Sequence, residues 1–245
     1  MTPDDRSKYA ALQASLKKRL QYGLLFSTGF TYARVSSFGI ADVLEQTSVQ
    51  NIYNRLVDWG PAPFDIRLRS VTHAIWDLPI AKWTGATGRL SKLALDGWQI
   101  SGVISLQSGL PANITNAASG NTYDRPDAAG ISPYVSGYQS GVHQYLNPAA
   151  FVAIPLGSKS NEQIRPGNLG NDAIRLPGLV NLDATIAKSF NVTERIRMQF
   201  RADTFNTLNH TNLTMLVTTI NNTSTFGQLT QATARTMQLG LRLSF

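Results

Sequence analysis

The sequence contains no cysteine among its 245 residues, which excludes disulfide bonds and thiolate metal sites. Charged residues are also scarce, at 15% of the chain, whereas about 25% is usual in soluble domains. No run of about 18 consecutive apolar residues is present, so a transmembrane helix is excluded. The composition therefore predicts neither a disordered chain nor a helical membrane protein.

Residues that could carry chemistry are scattered. His73, His143 and His210 are far apart, and none has a second histidine or a carboxylate at ligand spacing. The Gly-rich segment RPGNLGND at 165–172 fits neither a dinucleotide fingerprint nor a P-loop, and we interpret it as a loop that returns to a strand. We expect no catalytic residues, no cofactor and no metal, and hence no enzyme.

The formal net charge of +7 would suit a nucleic-acid or lipid-phosphate partner. The basic residues are spread along the chain, however, and Lys17–Arg19 form the only basic cluster, so we expect no nucleic-acid partner. The first ten residues, MTPDDRSKYA, are acidic and polar and lack the apolar region of a signal peptide.

Apolar and polar residues alternate through much of the chain. Val180, Leu182 and Ile186, for example, oppose Asn181 and Asp183. This period of two predicts β-strands, about seven of them, at residues 9–18, 23–36, 65–78, 93–108, 179–190, 194–207 and 233–245. The first could also be an amphipathic helix, because Ala, Leu, Gln and Lys favour helices.

The predicted connections alternate between short and long. Residues 19–22, 79–92 and 191–193 form the short connections, and 37–64, 109–178 and 208–232 the long ones. Outer-membrane barrels combine short periplasmic turns with long extracellular loops in this way. Aromatic residues near strand ends fit interfacial girdles, namely Tyr32, Trp76, Trp83, Trp98, Phe190 and Phe245.

These patterns predict an all-β domain over residues 1–245, an antiparallel up-and-down transmembrane β-barrel portion of about seven strands. The apolar face would meet lipid and the polar face would meet the lumen. A tight turn at Val192 would place Asp183 opposite Arg201. The predicted lumen-facing residues are Gln99, Ser101, Ser105, Gln107, Asn181, Asp183, Arg195, Arg197, Gln199, Arg201, Asp203, Gln238 and Arg242.

Alternation alone also fits other folds, because a soluble sandwich buries its apolar face and wets its polar face. One alternative is therefore a soluble β-sandwich that binds carbohydrate or protein through residues 109–178. Another is a small porin-like barrel that closes by oligomerising.

Several segments resemble a known family. DGWQISGVISLQSGLPANIT, YLNPAAFVAIP and the long run RPGNLGNDAIRLPGLVNLDATIAKSFNVTERIRMQFRADTFNTLNHTNL are similar to the carboxyl-terminal barrel of TonB-dependent outer-membrane receptors of the Oar-like subgroup. The likeness covers most of residues 7–245. It is weakest over 37–60 and 117–142.

The resemblance implies a barrel of about 22 strands, an amino-terminal plug, a TonB box and energised passage of a substrate across the bacterial outer membrane. Because about seven strands cannot close such a barrel, we expect the chain to be a fragment of a longer parent. The expected partners are outer-membrane lipid, the barrel-assembly machinery, the TonB system through the missing amino-terminal part, and an unknown substrate.

The carboxyl-terminal strand MQLGLRLSF carries a separate prediction. Leu241 and Leu243 would face lipid, and the resemblance implies that they form, with the terminal Phe245, the signal that the barrel-assembly machinery recognises. The arginines on the predicted lumen face suit anionic solutes, although balancing Asp183 and Asp203 would explain them as well.

Overall fold

An antiparallel sheet of eight strands organises the protein. The computed structural model describes residues 6–19, 23–38, 50–51, 53–116, 124–139, 143–158, 163–193 and 195–245. In chain order the strands are β1 Ser7–Arg19, β2 Leu24–Ser37, β3 Gly60–Pro61, β4 Leu68–Leu78, β5 Trp98–Gln107, β6 Pro111–Ala112, β7 Asp127–Ala128, β8 Tyr134–Gln139, β9 Gln144–Leu146, β10 Phe151–Val152, β11 Ile174–Arg175, β12 Leu179–Asn191, β13 Arg197–Phe205, β14 Leu213–Leu216, β15 Leu229–Ala232 and β16 Thr236–Ser244.

Seven long strands follow the order β1-β2-β4-β5-β12-β13-β16 across the main sheet, and β3 pairs with the end of β2. Each long strand lies beside its sequence neighbour among the long strands, which is the up-and-down order expected from the alternation. Within the described residues the sheet is open, because β1 and β16 each pair with a single strand.

The first segment is a strand and not a helix. β1 pairs with β2 from Ser7 opposite Ser37 to Arg19 opposite Leu25. Helix propensity is a weak prior that tertiary pairing routinely overrides, and here the neighbouring strand decides the outcome.

Five of the long strands begin later than predicted, namely β2, β4, β5, β13 and β16, and the differences at β5 and β13 affect the prediction most. Residues 93–97, expected in a strand, belong instead to the second of two short helices, α1 Ile80–Trp83 and α2 Arg89–Leu95, and to the turn after it. Gly97 makes that turn at φ +76°, and a Cβ there would collide with the carbonyl oxygen of Ser189. Similarly, β13 begins at Arg197, so Arg195 lies in the β12–β13 turn.

The predicted pairing of Asp183 with Arg201 is wrong. Ala187 is the partner of Arg201, because the ladder ends at Asn191 opposite Arg197 and leaves a five-residue turn. The backbone N–H of Val192 donates to the carbonyl of Ile196 at 2.9 Å and closes this turn. A shift by an even number of residues keeps every side chain on its face, so the alternation alone could not reveal the error.

One face of the main sheet is apolar and exposed. The register places Leu12, Phe30, Ile104, Ile186, Phe200, Leu239, Leu241 and Leu243 on this face, and all are exposed, Leu239 to 68%. No second sheet covers the face in the part of the chain that the structure describes, so the sandwich alternative is not favoured. A contiguous exposed apolar surface of this kind marks contact with lipid or another protein.

The three long connections fold together at one end of the sheet. Residues 109–178, predicted as a long loop, contain the six short strands β6 to β11, and the connection before β16 adds β14 and β15. The second and third connections share a core that consists of Ile114, Leu146, Ala150, Phe151, Leu169, Ile174 and Phe226. The first connection joins them through the ion pairs Asp58–Arg125 and Asp65–Arg175. We call this structure the loop layer, defined by the described residues of 50–67, 109–178 and 206–235.

In the described part of the chain, helices are too short to cross a membrane.

Candidate functional site

The polar face of the sheet collects the residues predicted from the alternation. Adjacent strands carry their polar side chains in line, since directly opposite residues of an antiparallel pair share a face. Arg195 is the exception, because it lies in the turn. The residues that share the face are Gln99, Ser101, Ser105, Gln107, Asn181, Asp183, Arg197, Gln199, Arg201, Asp203, Gln238 and Arg242.

Hydrogen bonds between neighbouring strands organise this face. Asp203 accepts from the Thr185 hydroxyl at 2.5 Å and from Arg201 Nε at 2.7 Å. Gln99 Nε2 donates to Asp77 at 2.7 Å. Arg201 therefore pairs with Asp203 and not with Asp183, the partner predicted from the sequence.

Two depressions adjoin on the polar face. The first, of 360 Å³, is lined among others by His73, Arg201 and Asp203, and the second, of 690 Å³, by Arg69 and the loop-layer segment that precedes β16. Both are also lined by Asp183 and Phe205. Together they form a furrow with both signs of charge, which leads from the loop layer toward the middle of the sheet.

Asp65 is the most heavily bonded carboxylate of the loop layer. It is fully buried and accepts from the backbone N–H of Val35 at 2.6 Å, from Arg67 Nε at 2.8 Å and from the Arg175 guanidinium. Burial alone would raise the pKa of Asp65, but these three donors together lower it below its ordinary value. The residue thus stays ionised at neutral pH and joins β2, the segment before β4, and β11.

Two tyrosines hold the backbone of Arg175 in place. The Tyr145 hydroxyl donates to the Arg175 carbonyl at 2.8 Å, and the Arg175 N–H donates to the Tyr134 hydroxyl at 3.0 Å. The rings meet edge to face at 5.2 Å. Burial, with a smaller contribution from Tyr134, raises the pKa of Tyr145 to about 12, so the donor stays protonated at neutral pH.

A second buried ion pair links the first long connection to the next. Arg125 donates to the Asp58 carboxylate at 2.9 Å and to the carbonyls of Val57 and Leu169 at 3.0 and 2.9 Å. Gly167 passes so close to the Arg125 carbonyl that a Cβ could not fit. Since a buried charge is costly unless it is paired and hydrogen-bonded, these bonds fix the two segments against each other.

The segment RPGNLGND serves the same framework. Arg165 pairs with Asp127, and Asn168 exchanges hydrogen bonds with the neighbouring segment, donating its N–H to Asp127 at 2.9 Å and accepting from the Ala128 N–H at 2.7 Å. Gly167 allows close packing in this loop, which leads toward β11 and β12.

Asp172 is the one carboxylate of the described loop layer whose pKa is raised. Burial raises it to about 6, against the opposing effect of Arg125 and Arg175. Asn171 Nδ2 lies 3.4 Å from its Oδ2, and its backbone φ is +49°. The Asp172 side chain therefore titrates near neutral pH. Its two neighbouring arginines, Arg125 and Arg175, are already paired with Asp58 and Asp65.

Two asparagines anchor the connection that follows β13. Asn206, at φ +50°, donates through Nδ2 to the carbonyls of His210 and Thr233 at 2.9 Å and accepts from the His210 N–H at 2.9 Å. Asn212 both donates to and accepts from the backbone of Val180, at 2.9 and 3.0 Å. The sequence showed the motif NTLNHTN only as part of a resemblance, and the structure assigns it this framework role.

At the opposite end, α2 rests against the apolar face. Lys188 is on that face and only 4% exposed, and its Nζ donates to the carbonyls of Ala94, at 2.9 Å, and Asp96. The ammonium also lies over the rings of Trp98 and Phe190, at 5.2 and 5.1 Å. Trp76 and Trp83 meet edge to face nearby at 5.7 Å. Four of the aromatics predicted for a girdle thus gather at the short-turn end.

The carboxyl-terminal strand presents Leu241 and Leu243 on the apolar face, and Phe245 follows its last paired residue in full exposure. Among the described residues there is no group of three histidines or carboxylates arranged to hold a metal ion. Sequence reasoning missed the buried Asp58–Arg125 and Asp65–Arg175 pairs, because their partners are far apart in sequence and follow no periodic pattern.

A family model agrees with this architecture. The model of a family described as outer membrane beta barrel domain matches residues 1–238. The outer membrane transporter YddB from Escherichia coli is a similar solved structure at 13% identity and a TM-score of 0.49, and the match covers 98% of this chain and 26% of that one. The chain thus spans about a quarter of that transporter's length. No curated protein sequence matches the chain.

Proposed function

The chain belongs to the outer membrane β-barrel domain family, and from this premise we propose that it forms part of the wall of a larger, TonB-dependent outer-membrane transporter of the Oar-like subgroup. The family places the chain in the bacterial outer membrane. In the proposal the apolar face contacts lipid, the polar face lines the lumen and the loop layer faces the exterior. The parent protein would move a substrate inward or outward with energy supplied through TonB.

The exposed apolar face of the seven-strand path carries the barrel part of this proposal. Its leucines, isoleucines and phenylalanines would be costly in water, since burying each gains about 1.5–3 kcal/mol. An open sheet edge in hydrocarbon also leaves backbone groups unsatisfied, and both β1 and β16 have such an edge in the described structure. Further strands of a parent barrel would satisfy both edges.

The assignment to the Oar-like subgroup and the dependence on TonB do not rest on the apolar face. They are supported by the resemblance of the segments around β5, β12 and β13, and by a folded layer of loops at the end where a receptor would meet its ligand. Binding and transport sites need such positioned loops on a rigid scaffold. The furrow on the polar face leads away from this layer and would continue the solute's path.

Spin labelling tests the orientation of the sheet. The chain has no cysteine, so Ile104→Cys and Ser105→Cys each give one labelling site in this chain, on opposite faces of β5. In the full-length protein in lipid vesicles, we expect a nitroxide at 104 to collide with oxygen dissolved in the lipid and one at 105 to collide with a water-soluble nickel complex. A label at 104 that meets neither reagent would indicate a buried sandwich core and overturn the barrel.

A second experiment addresses energy coupling alone. The full-length protein should retain the purified periplasmic domain of TonB on an affinity column, and deletion of its TonB box should abolish this retention. If the intact protein does not retain the TonB domain while the spin labels still report lipid and lumen, the dependence on TonB is rejected. The barrel part of the proposal is then unaffected.

A further inference from the structure

A two-part groove lies at the short-turn end, between α2 and the β12–β13 turn. One part, of 540 Å³, is lined by Arg89, Arg195 and Arg197 together with Asn191, Val192, Thr193 and Ile196. The adjoining part, of 650 Å³, shares Arg89, Asn191, Val192 and Arg197 and adds the apolar side chains of Leu90, Leu93, Phe190 and Met198. We call these the arginine part and the apolar part of the groove.

The arginine part has a strong excess of positive charge. Its three arginines come from α2, the turn and the start of β13, and within the described residues none of them pairs with a carboxylate. Glu194 is adjacent in sequence and lies outside the described residues. Guanidinium groups match the oxygens of a phosphate in charge and geometry, so the arrangement fits a phosphate monoester or diester.

The apolar part is open to its surroundings. Leu90 is 81% exposed and Val192 57%, although both are large aliphatic side chains. Lys92 and Asp96 also line this part and offset each other, so its positive excess comes from the shared Arg89 and Arg197. A soluble anion would leave these aliphatic surfaces in water, whereas a ligand with a hydrocarbon chain would cover them.

The wall formed by α2 is held in place. Lys188 binds the carbonyls of Ala94 and Asp96 at the end of the helix, and Trp98 Nε1 donates to the Ala94 carbonyl at 3.0 Å. Both anchoring residues lie on the apolar face of the sheet, as do Phe190 and Met198 of the apolar part, whereas Arg197 lies on the polar face at the start of β13. The apolar part of the groove therefore opens beside the surface that meets the membrane, and the arginine part lies at the end of the strands next to it.

We propose that this groove binds one anionic glycerophospholipid of the periplasmic leaflet, with its phosphate at Arg89, Arg195 and Arg197 and an acyl chain along Leu90, Leu93 and Met198. Basic pockets beside membrane-spanning segments recognise lipid headgroups through this combination of charge and apolar contact. The inference rests on the placement of the barrel in the outer membrane and on short turns facing the periplasm. It does not depend on TonB or on transport.

Native mass spectrometry of the full chain in detergent micelles tests the proposal. The chain is titrated with phosphatidylglycerol, with phosphatidylcholine of the same acyl chains, and with glycerol phosphate. We expect phosphatidylglycerol adducts at the lowest concentration, because the arginines attract a headgroup with a net negative charge. The triple variant Arg89→Gln/Arg195→Gln/Arg197→Gln should bind phosphatidylglycerol at least about tenfold more weakly.

The matched control is Lys17→Gln/Lys18→Gln/Arg19→Gln. It removes the same three charges at the same end of the sheet but on exposed β1, and should bind phosphatidylglycerol like the unmodified chain. A Leu93→Ser variant should weaken lipid binding and leave glycerol phosphate unaffected. Strand content by circular dichroism verifies that each variant is folded before titration.

Three results would overturn the inference. The first is equal binding of the two lipids by the unmodified chain, which would indicate adsorption without headgroup recognition. The second is equal loss in the groove and control variants, which would indicate a general effect of net charge. The third is glycerol phosphate binding as tightly as the lipid, which would make the groove a site for a soluble anion.

Discussion

Arg175 and Asp65 are 110 positions apart in sequence, yet the Arg175 guanidinium donates to both the carboxylate and the backbone carbonyl of Asp65. The contact joins the segment before β4 to β11 and so closes the loop layer over the end of the sheet. Asp65 has no exposed surface, and Arg175 is only partly exposed. The pair therefore stabilises the layer through a fully buried carboxylate whose donors are all in place.

Replacing Asp65 by alanine should loosen the loop layer. Removal of one partner of a buried pair leaves the other charge uncompensated, at a cost of about 3–5 kcal/mol, and here the N–H of Val35 also loses its acceptor. We expect faster hydrogen exchange over residues 60–67 and 165–176, measured by mass spectrometry, with the main sheet unchanged. Asp77→Ala removes an exposed carboxylate that accepts from Gln99 at the other end of the sheet, and it serves as the control for the loss of one negative charge. Equal exchange in the two variants would contradict the role of Asp65.

Asp172 should weaken the loop layer at neutral pH. Its pKa is about 6 in the folded protein against an ordinary value of 3.8, so the folded state binds the proton more tightly than the unfolded state. The stabilisation from this group is complete below pH 3.8 and is lost as pH rises through 6. Asp65, whose pKa is lowered, has the opposite sign, and its contribution is lost as pH falls below its ordinary value.

Asp172→Asn cannot ionise and should therefore protect the layer against exchange at pH 8, by about 1–3 kcal/mol, with little change at pH 4. Asparagine also tolerates the positive φ of this position. Hydrogen exchange of residues 165–176 at both pH values provides the measurement. A variant that is destabilised at pH 8 would show that the attraction of Arg125 and Arg175 outweighs the cost of burial.

Asn206 should be intolerant of substitution because its side chain and its backbone are both committed. Asn206→Ala removes three hydrogen bonds and leaves a non-glycine residue at φ +50°, and we expect about 2–4 kcal/mol of local destabilisation. Limited proteolysis within 206–235 should become faster. Asn206→Gly relieves the backbone strain alone, so it should recover a small part of the loss. Full recovery in the glycine variant would show that the side-chain bonds contribute little.

Deletion of Phe245 from the full-length protein should reduce the yield of assembled barrel. The residue is fully exposed in the described structure, so we expect the defect in assembly and not in stability. Outer-membrane yield of the deletion is compared with that of Gln238→Ser, a change on the polar face of the same strand. An unchanged yield of the deletion would reject the assembly signal.

The alternation of residues predicts the strands because each side chain of a half-exposed strand has only two directions. From the sequence alone it places Leu239 on the apolar face and Gln238 on the polar face, as the register confirms. It cannot fix the register of β12 against β13, where the five-residue turn around Arg195 shifts the partner of Arg201 from Asp183 to Ala187. For α2, the good helix formers of RLSKLAL were a signal that the alternation before Trp98 obscured.

The loop layer could not be predicted in the same way. Its residues follow neither the period of two of a strand nor the period of 3.6 of a helix. Its stability depends on pairs such as Asp58 with Arg125, which no local sequence pattern connects. The motif NTLNHTN shows the same limit. Its asparagines act through the backbone of Val180 and Thr233, which the sequence does not bring near.

The second and third long connections share one core, and buried ion pairs hold the first connection against them, so the described part of the rim is folded without a solute. Flexible segments would lose conformational entropy at the moment of encounter, at about 0.5–1.5 kcal/mol for each immobilised side chain. Here that loss occurs during folding, through Ile114, Leu146 and Phe226. A solute that meets this rim would therefore be selected by preorganised shape, and its affinity would depend little on rearrangement of the protein.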